Sequence, residues 1–223
     1  MTLFLHGLWQ RHLLSIVMPA RHMSEFPCVE VDREPDGRIC QGDLIRNVAC
    51  IEDVIQKGDY IEVRRIVFPM IVVLTQDCDL QQDESGRWPE PQGRLSDNAR
   101  VLSVLVAPLY NLAQFEQGDH LSELGLKMRD FRTGKKGLTT DEKNLRQNET
   151  PRYHCLQFPS NMGLVPQVID FKHYFSVNSV RLRREKQSNF VCKLGSLYRE
   201  QVSHRFAFYL ARIGLPNLAR PVQ

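Results

Sequence analysis

The chain has 223 residues, of which 42% are hydrophobic and 25% charged, and its net charge is +3. That mixture matches an ordinary folded domain and excludes wholesale disorder, and the length predicts one domain with extensions. No run of about 20 apolar residues is present, so no membrane-spanning helix is expected.

Residues 1–40 are expected to form a partly irregular N-terminal arm. Leu3-Phe4-Leu5 and Leu13-Leu14-Ser15-Ile16-Val17-Met18 are apolar but are interrupted by Arg11 and His12. That interruption argues against a signal peptide, which needs one unbroken apolar stretch and a cleavage site. Two alternatives remain for this segment. It is an amphipathic arm, or the natural start lies at Met18 or Met23. Pro27, Pro35, Asp36 and Gly37 mark a loop-rich entry, with one short strand at Cys28–Val31.

Residues 41–223 then read as one barrel-based domain. Gln41-Gly42-Asp43 is a turn, and Leu44–Ile51 begins a strand. Gly58-Asp59 is a second turn, followed by an alternating strand over Tyr60–Val67. Met70–Leu74 is a continuous β-branched run, expected to be buried on both faces. Val101–Pro108 is a second such strand, beyond a polar loop of about twenty residues. The two are expected to pair at the centre of one curved sheet.

Leu112, Phe115, Leu121, Leu124 and Met128 suggest a helix inside an insertion over 111–150, whose second half is polar and includes Lys135-Lys136. Arg152–Phe158 and Val168–Val177 read as two further strands. A closing helix runs over 196–213. Ser196 is its N-cap, Leu197, Val202, Phe206, Tyr209, Leu210 and Ile213 form its apolar stripe, and Gly214 and Pro216 form its stop. Strands first and a helix last predict an α+β fold with a small, mainly antiparallel β-barrel.

Six cysteines stand at 28, 40, 50, 78, 155 and 192 with no CxxC pair. A chain of this length and apolar content needs no disulfide staples, so reduced thiols and a cytoplasmic location are expected.

The sharpest chemical feature is Asp77-Cys78-Asp79, read as the rim of the best strand. Alternation along a strand puts the two carboxylates on one face and the thiol on the other. Three readings are open: a core cysteine between two turn aspartates, a carboxylate pair that binds something, or a catalytic thiol. Thiolate chemistry needs positive neighbours, and the local charges are negative. His154, in a strand pattern, and Asp170, lodged in an apolar run, complete the candidate catalytic set Asp77, Cys78, Asp79, His154 and Asp170. Burial of Asp170 would need a partner, for which Arg152 or a backbone turn would serve. His173 and His204 are further histidines, and a lone strand histidine is commonly structural.

No HxxxH, CxxC, Gly-rich phosphate loop, GxSxG or HExxH is present, so neither a metal nor a cofactor is expected. Arg64, Arg65, Arg181, Arg183, Arg184 and Lys186 form basic clusters that could neutralise phosphates, which would make RNA or DNA the partner. Solvated surface is the alternative.

Gly42-Asp43-Leu44, Phe68–Thr75 and Val104–Leu109 together resemble the PemK/MazF-like toxin pattern over residues 41–110. The resemblance implies an SH3-like barrel and, in true toxins, metal-independent RNA cleavage. Two positions depart from that pattern. Phe68 stands where the family has arginine before the proline, and Tyr110 and Asn111 follow the second strand where it has threonine or serine. The barrel is therefore implied without the cleavage. Thr75-Gln76-Asp77-Cys78-Asp79-Leu80 also resembles a TQxCDL signature of uncharacterised bacterial proteins.

The functional expectation is a bacterial nucleic-acid-associated, or defence or toxin–antitoxin-associated, accessory protein that binds rather than catalyses. RNA, DNA or a protein encoded nearby would be the partner, with no membrane involved. The alternatives are a divergent nuclease or a metal- or thiol-dependent hydrolase centred on Asp77-Cys78-Asp79, and a purely structural subunit.

Overall fold

The computed structural model describes residues 8–12, 28–87, 97–132 and 139–212. The apolar N-terminal segments on either side of residues 8–12, Met18, Met23, Lys135-Lys136, Ile213, Gly214 and Pro216 lie outside them.

Among the described residues, nine strands form one sheet. They are β1 (Leu8–His12), β2 (Val31–Asp32), β3 (Asp43–Lys57), β4 (Tyr60–Val73), β5 (Ser103–Asn111), β6 (Tyr153–Leu156), β7 (Gln167–Asp170), β8 (Phe175–Asn178) and β9 (Phe190–Leu194). The order across the sheet is β2-β9-β3-β4-β5-β7-β6, with β1 beside β4 and β8 beside β5. All pairings are antiparallel except β1 with β4. The sheet curls strongly into a half-barrel, and the class is α+β. β4 and β5 pair at its centre, Val72 opposite Ala107.

Five helices are described: α1 (Asp77–Arg87), α2 (Leu112–Glu116), α3 (Thr140–Arg146), α4 (Ser179–Asn189) and α5 (Ser196–Leu210). Alternation along the central strands feeds two cores, one on each face of the sheet. Ile45, Ile71, Val73, Val104 and Val106 enter the first, which Leu182 of α4 closes. Leu44, Val72, Leu74, Ala107 and Leu109 enter the second, which Val202 and Phe206 of α5 close. Ile45 and Val48 share the first core although they are three residues apart, because Asn47 between them takes a positive φ of 56°. That left-handed residue breaks the pleat and helps the sheet bend.

Several elements differ from the sequence reading. β3 and β4 run unbroken through the positions read as separate short strands, and they meet at Gly58 (φ 59°). Val168–Val177 is not one strand, because Asp170 accepts the Lys172 N–H and starts a 3-10 turn that separates β7 from β8. The expected 111–128 helix shrinks to the five residues of α2, capped by the Asn111 side chain. The chain then turns at Gly118 (φ 75°), where a Cβ would lie 2.6 Å from the Met128 carbonyl oxygen. Gly195, not Ser196, caps α5, and Leu197 is 69% exposed rather than on its apolar stripe.

Candidate functional site

Asp77, Cys78 and Asp79 do not end a strand. They form the first turn of α1, where acidic side chains complement the helix dipole. Cys78 and Asp79 are therefore exposed, and the buried-thiol reading does not hold. The Cys78 thiol lies 3.6 Å from Gln76 Oε1 and 3.7 Å from Asp79 Oδ1, both acceptors rather than cations. Asp77 accepts two hydrogen bonds from the Arg38 guanidinium, at 3.1 and 2.9 Å, and one from the Gln41 N–H at 3.1 Å. Arg199 of α5 approaches it at 3.6 Å. Burial pushes the Asp77 carboxyl up, but the Arg38 and Gln41 hydrogen bonds and the two guanidinium charges outweigh it and hold it below the usual carboxylate range.

This corner joins the two sequence signatures. Gln41-Gly42-Asp43 is pinned to the end of β4 by Gly42 N–H to Val73 O (2.9 Å) and Gln41 Nε2 to Leu74 O (3.3 Å). Gly42 has φ 81°, and a Cβ there would meet Leu194 and Arg199 at 3.2–3.4 Å. Below it, the fully buried Asp43 accepts from Cys40 N–H and from Lys186 Nζ, each at 2.7 Å. Lys186 also donates to the Arg38 carbonyl at 2.5 Å.

Asp170 and His154 occupy adjacent strands but opposite faces of the sheet. His154 pairs in register with Ile169 and contacts Phe171, in the second core. Tyr153, opposite Asp170, packs on the first core. Asp170 is fully buried, with Arg152 donating from Nε (2.8 Å) and from a terminal nitrogen (2.6 Å). His173 Nδ1 lies 3.6 Å from the Asp170 carboxylate and 3.0 Å from the Tyr110 hydroxyl. His120 stacks on Phe115 at 4.3 Å, and both its ring nitrogens are buried without a hydrogen-bond partner. Burial pulls its pKa down to about 4. The cluster is closed, since Tyr110 and His120 are 4% and 6% exposed.

No hydrogen bond or ion pair among the described residues joins Asp77, Cys78 or Asp79 to His154 or Asp170. The five candidate catalytic side chains therefore occupy three separate environments: the α1 corner, the Asp170 cluster on one face of the sheet, and His154 on the other. Among the described residues no group of three or more His, Cys, Asp or Glu side chains is arranged to hold a metal.

Four of the six basic candidates hold carboxylates: Arg64 with Glu62, Arg181 with Glu185, Arg183 with Glu84, and Lys186 with Asp43. Lys186 is 4% exposed and out of reach of any phosphate. Its sequence neighbours suggested a surface stripe, but the turn of α4 carries it inward. Arg184 is exposed, and Arg65 is half-buried.

Sequence reasoning missed a cavity of about 210 Å³ beside β6 and α5. Leu112, Leu156 and Pro166 give it apolar walls, and Arg146, Gln147, Asn148, His154, Gln157, Tyr198 and Gln201 give it polar ones. His154 is 1% exposed, and its Nδ1 has no hydrogen-bond partner. Burial, helped by the Arg205 charge, pulls its pKa down to about 3, so the imidazole is neutral. Arg146 shares the Glu116 carboxylate, itself 1% exposed, with Arg132, at 2.6 and 3.2 Å. Asn148 is occupied by the edge of β6, accepting from Cys155 N–H (2.6 Å) and donating to Cys155 O (3.3 Å). The only trace of this site in the sequence is His154 within a strand pattern, because its walls come from segments more than a hundred residues apart. No protein-family model matches the chain, and no curated protein matches it.

Proposed function

We propose that this chain is a binding module rather than a catalyst: a PemK-like, SH3-like half-barrel that holds a small ligand in the cavity beside His154. The observation that carries this reading is a cavity of about 210 Å³ in which apolar Leu112, Leu156 and Pro166 stand beside polar side chains. A concave space with apolar walls and a few polar groups is the usual form of a small-molecule site. Catalysis has less support, because His154 and Asp170 face different cores and Asp77 is spent on two arginines. The test is a thermal-shift screen of small fragments against the parent protein and Gln201→Trp, a bulkier side chain at an exposed residue of the cavity lining. Stabilising fragments should lose their effect in the variant.

A second reading keeps the chain as a nucleic-acid-associated accessory protein of a bacterial defence or toxin–antitoxin system. Exposed Arg46, Arg64 and Arg184 favour it. With most basic candidates already paired, few counterions would be released. Anisotropy titrations with RNA and DNA should then show a log–log salt slope no steeper than about −3. No binding to either polymer at low salt removes this reading.

A further inference from the structure

We infer that residues 119–127 form an acid-released flap over the first core, and that His120 is its trigger.

The segment is a lobe with a narrow neck. Gly118 O accepts the Met128 N–H at 3.0 Å, and a Cβ at Gly118 would lie 2.6 Å from the Met128 carbonyl oxygen, so the two sides of the neck touch. Beyond the neck the chain bonds mostly to itself. Ser122 N–H donates to Asp119 O, Gly125 N–H to Ser122 O, and the Leu124 and Leu126 N–H groups to Leu121 O. A loop closed in this way is held to the body by its packed side chains. Here that hold is thin. Of residues 119–127, His120 and Leu121 are buried, Leu124 is half-buried and packs on the first core, and the rest are exposed.

One of these few anchors is therefore an ionisable ring. The His120 imidazole stacks on Phe115 of α2 at 4.3 Å and lies 4.7 Å from the Tyr110 ring of β5. Both its nitrogens are sealed from water and have no hydrogen-bond partner. A neutral ring there leaves one donor and one acceptor unanswered, whereas an imidazolium buries a charge with two unanswered donors. The surrounding groups give little relief. The Asp170 carboxylate of β7 favours the charge but is gripped by Arg152, and Arg152 and His173 oppose it. The Tyr110 hydroxyl is taken by His173, and Tyr153 of β6 packs on Phe115. His173 differs, because it has the Asp170 carboxylate 3.6 Å away to answer its own protonation.

Out of the core, the His120 ring regains water and an ordinary pKa near 6.5, against about 4 when docked. The open flap therefore gains about tenfold over the docked one for each pH unit below 6.5, until the docked ring also titrates. Opening uncovers the rings of Phe115 and Tyr110 on which His120 lies.

Amide hydrogen exchange between pH 7 and 4.5, corrected for the intrinsic exchange rate, tests this in the parent protein, His120→Phe and His173→Gln. Protection of the Leu124, Gly125 and Leu126 amides should fall about fiftyfold or more across that range in the parent and in His173→Gln. It should stay level within about threefold in His120→Phe, and it should lie below that of residues 68–73 at every pH. An equal fall in His120→Phe, or its loss in His173→Gln, overturns the assignment to His120. Amides of 124–126 as well protected as those of 68–73 would show that no flap opens separately. Should His120→Phe fail to fold, an NMR titration of the His120 ring in the parent protein decides. A midpoint below about 6 is expected, and a higher one would mean that the ring takes its proton without leaving the core.

Discussion

Lys186 sits 2.7 Å from a carboxylate that has no solvent exposure. Removing one member of such a pair leaves an uncompensated buried charge, which costs about 3–5 kcal/mol. Lys186→Met should lose that much in urea denaturation at neutral pH. Burial already pushes the Asp43 carboxyl up, and without the lysine it takes a proton more readily. The gap between variant and parent should therefore narrow as pH falls from 7.5 to 4.5, and a constant gap would show that Asp43 is not the group left stranded. His120 gives the opposite slope. Its folded pKa of about 4 lies below the unfolded value near 6.5, so its contribution is intact above pH 6.5 and is lost as pH falls to 4. The size is about 3 kcal/mol at most. His120→Phe keeps the stacking on Phe115, removes two unsatisfied nitrogens and should flatten that part of the pH–stability curve. An unchanged curve would mean that His120 already has a partner in the folded protein.

At the scale of the element, the β3–β4 hairpin divides into two halves. Its inner half feeds both cores, whereas Ile51, Val54, Tyr60 and Ile61 in its outer half are 37–58% exposed. β1 pairs with Val63–Val67 of β4, and beyond it the hairpin is a two-stranded ribbon with little burial, which is marginal alone. Amide hydrogen exchange over residues 51–61 should be faster by at least about a hundredfold than over 68–73, reflecting local opening. Val54→Lys should change global stability by less than about 0.5 kcal/mol. Protection throughout the hairpin would show that something covers its tip. The tip's turn was legible in Gly58-Asp59, because glycine supplies the positive φ that the reversal needs. α1 was not legible. Among the described side chains of its sequence, DCDLQQDESGR, only Leu80 and Asp83 are buried, so no apolar period announces a helix. Asp77-Cys78-Asp79 consequently read as a strand rim, and the thiol was given the wrong environment. α4 was hidden for a related reason. Its run of arginines suggested surface, and Leu182 alone could not reveal that Lys186 turns inward.

For the whole molecule, the strongest elements in the sequence were those whose burial is two-sided. Met70–Leu74 and Val104–Ala107 are apolar at successive positions because one set of side chains enters each core, whereas Leu102, at the start of the expected Val101–Pro108 strand, is 80% exposed. The mainly antiparallel, curled α+β fold followed from them. The cavity did not, since Val29, Leu112, His154 and Tyr198 converge only after the chain has closed. Because neighbouring residues of one strand serve different cores, the two layers should melt together. Leu44→Ala and Ile45→Ala remove side chains with no exposure from opposite faces and should each cost about 2–5 kcal/mol. Both variants should keep a single transition by circular dichroism and by intrinsic fluorescence. Separate transitions would mean that the faces are independent.

α5 touches both ends of this arrangement. Arg199 reaches the Asp77 corner, Tyr198 and Gln201 stand at the cavity, and Arg205 donates to the carbonyls of Thr150 and Tyr153. Six residues of helix separate the two arginines, about 9 Å of stiff rod. The first turns of α5 thus meet the cavity through Tyr198 and Gln201 and the acidic signature through Arg199. A dye on the exposed Cys78 thiol, beside Asp77, should therefore change its emission when the cavity is filled, and an unchanged signal would show that the two contacts of α5 are independent.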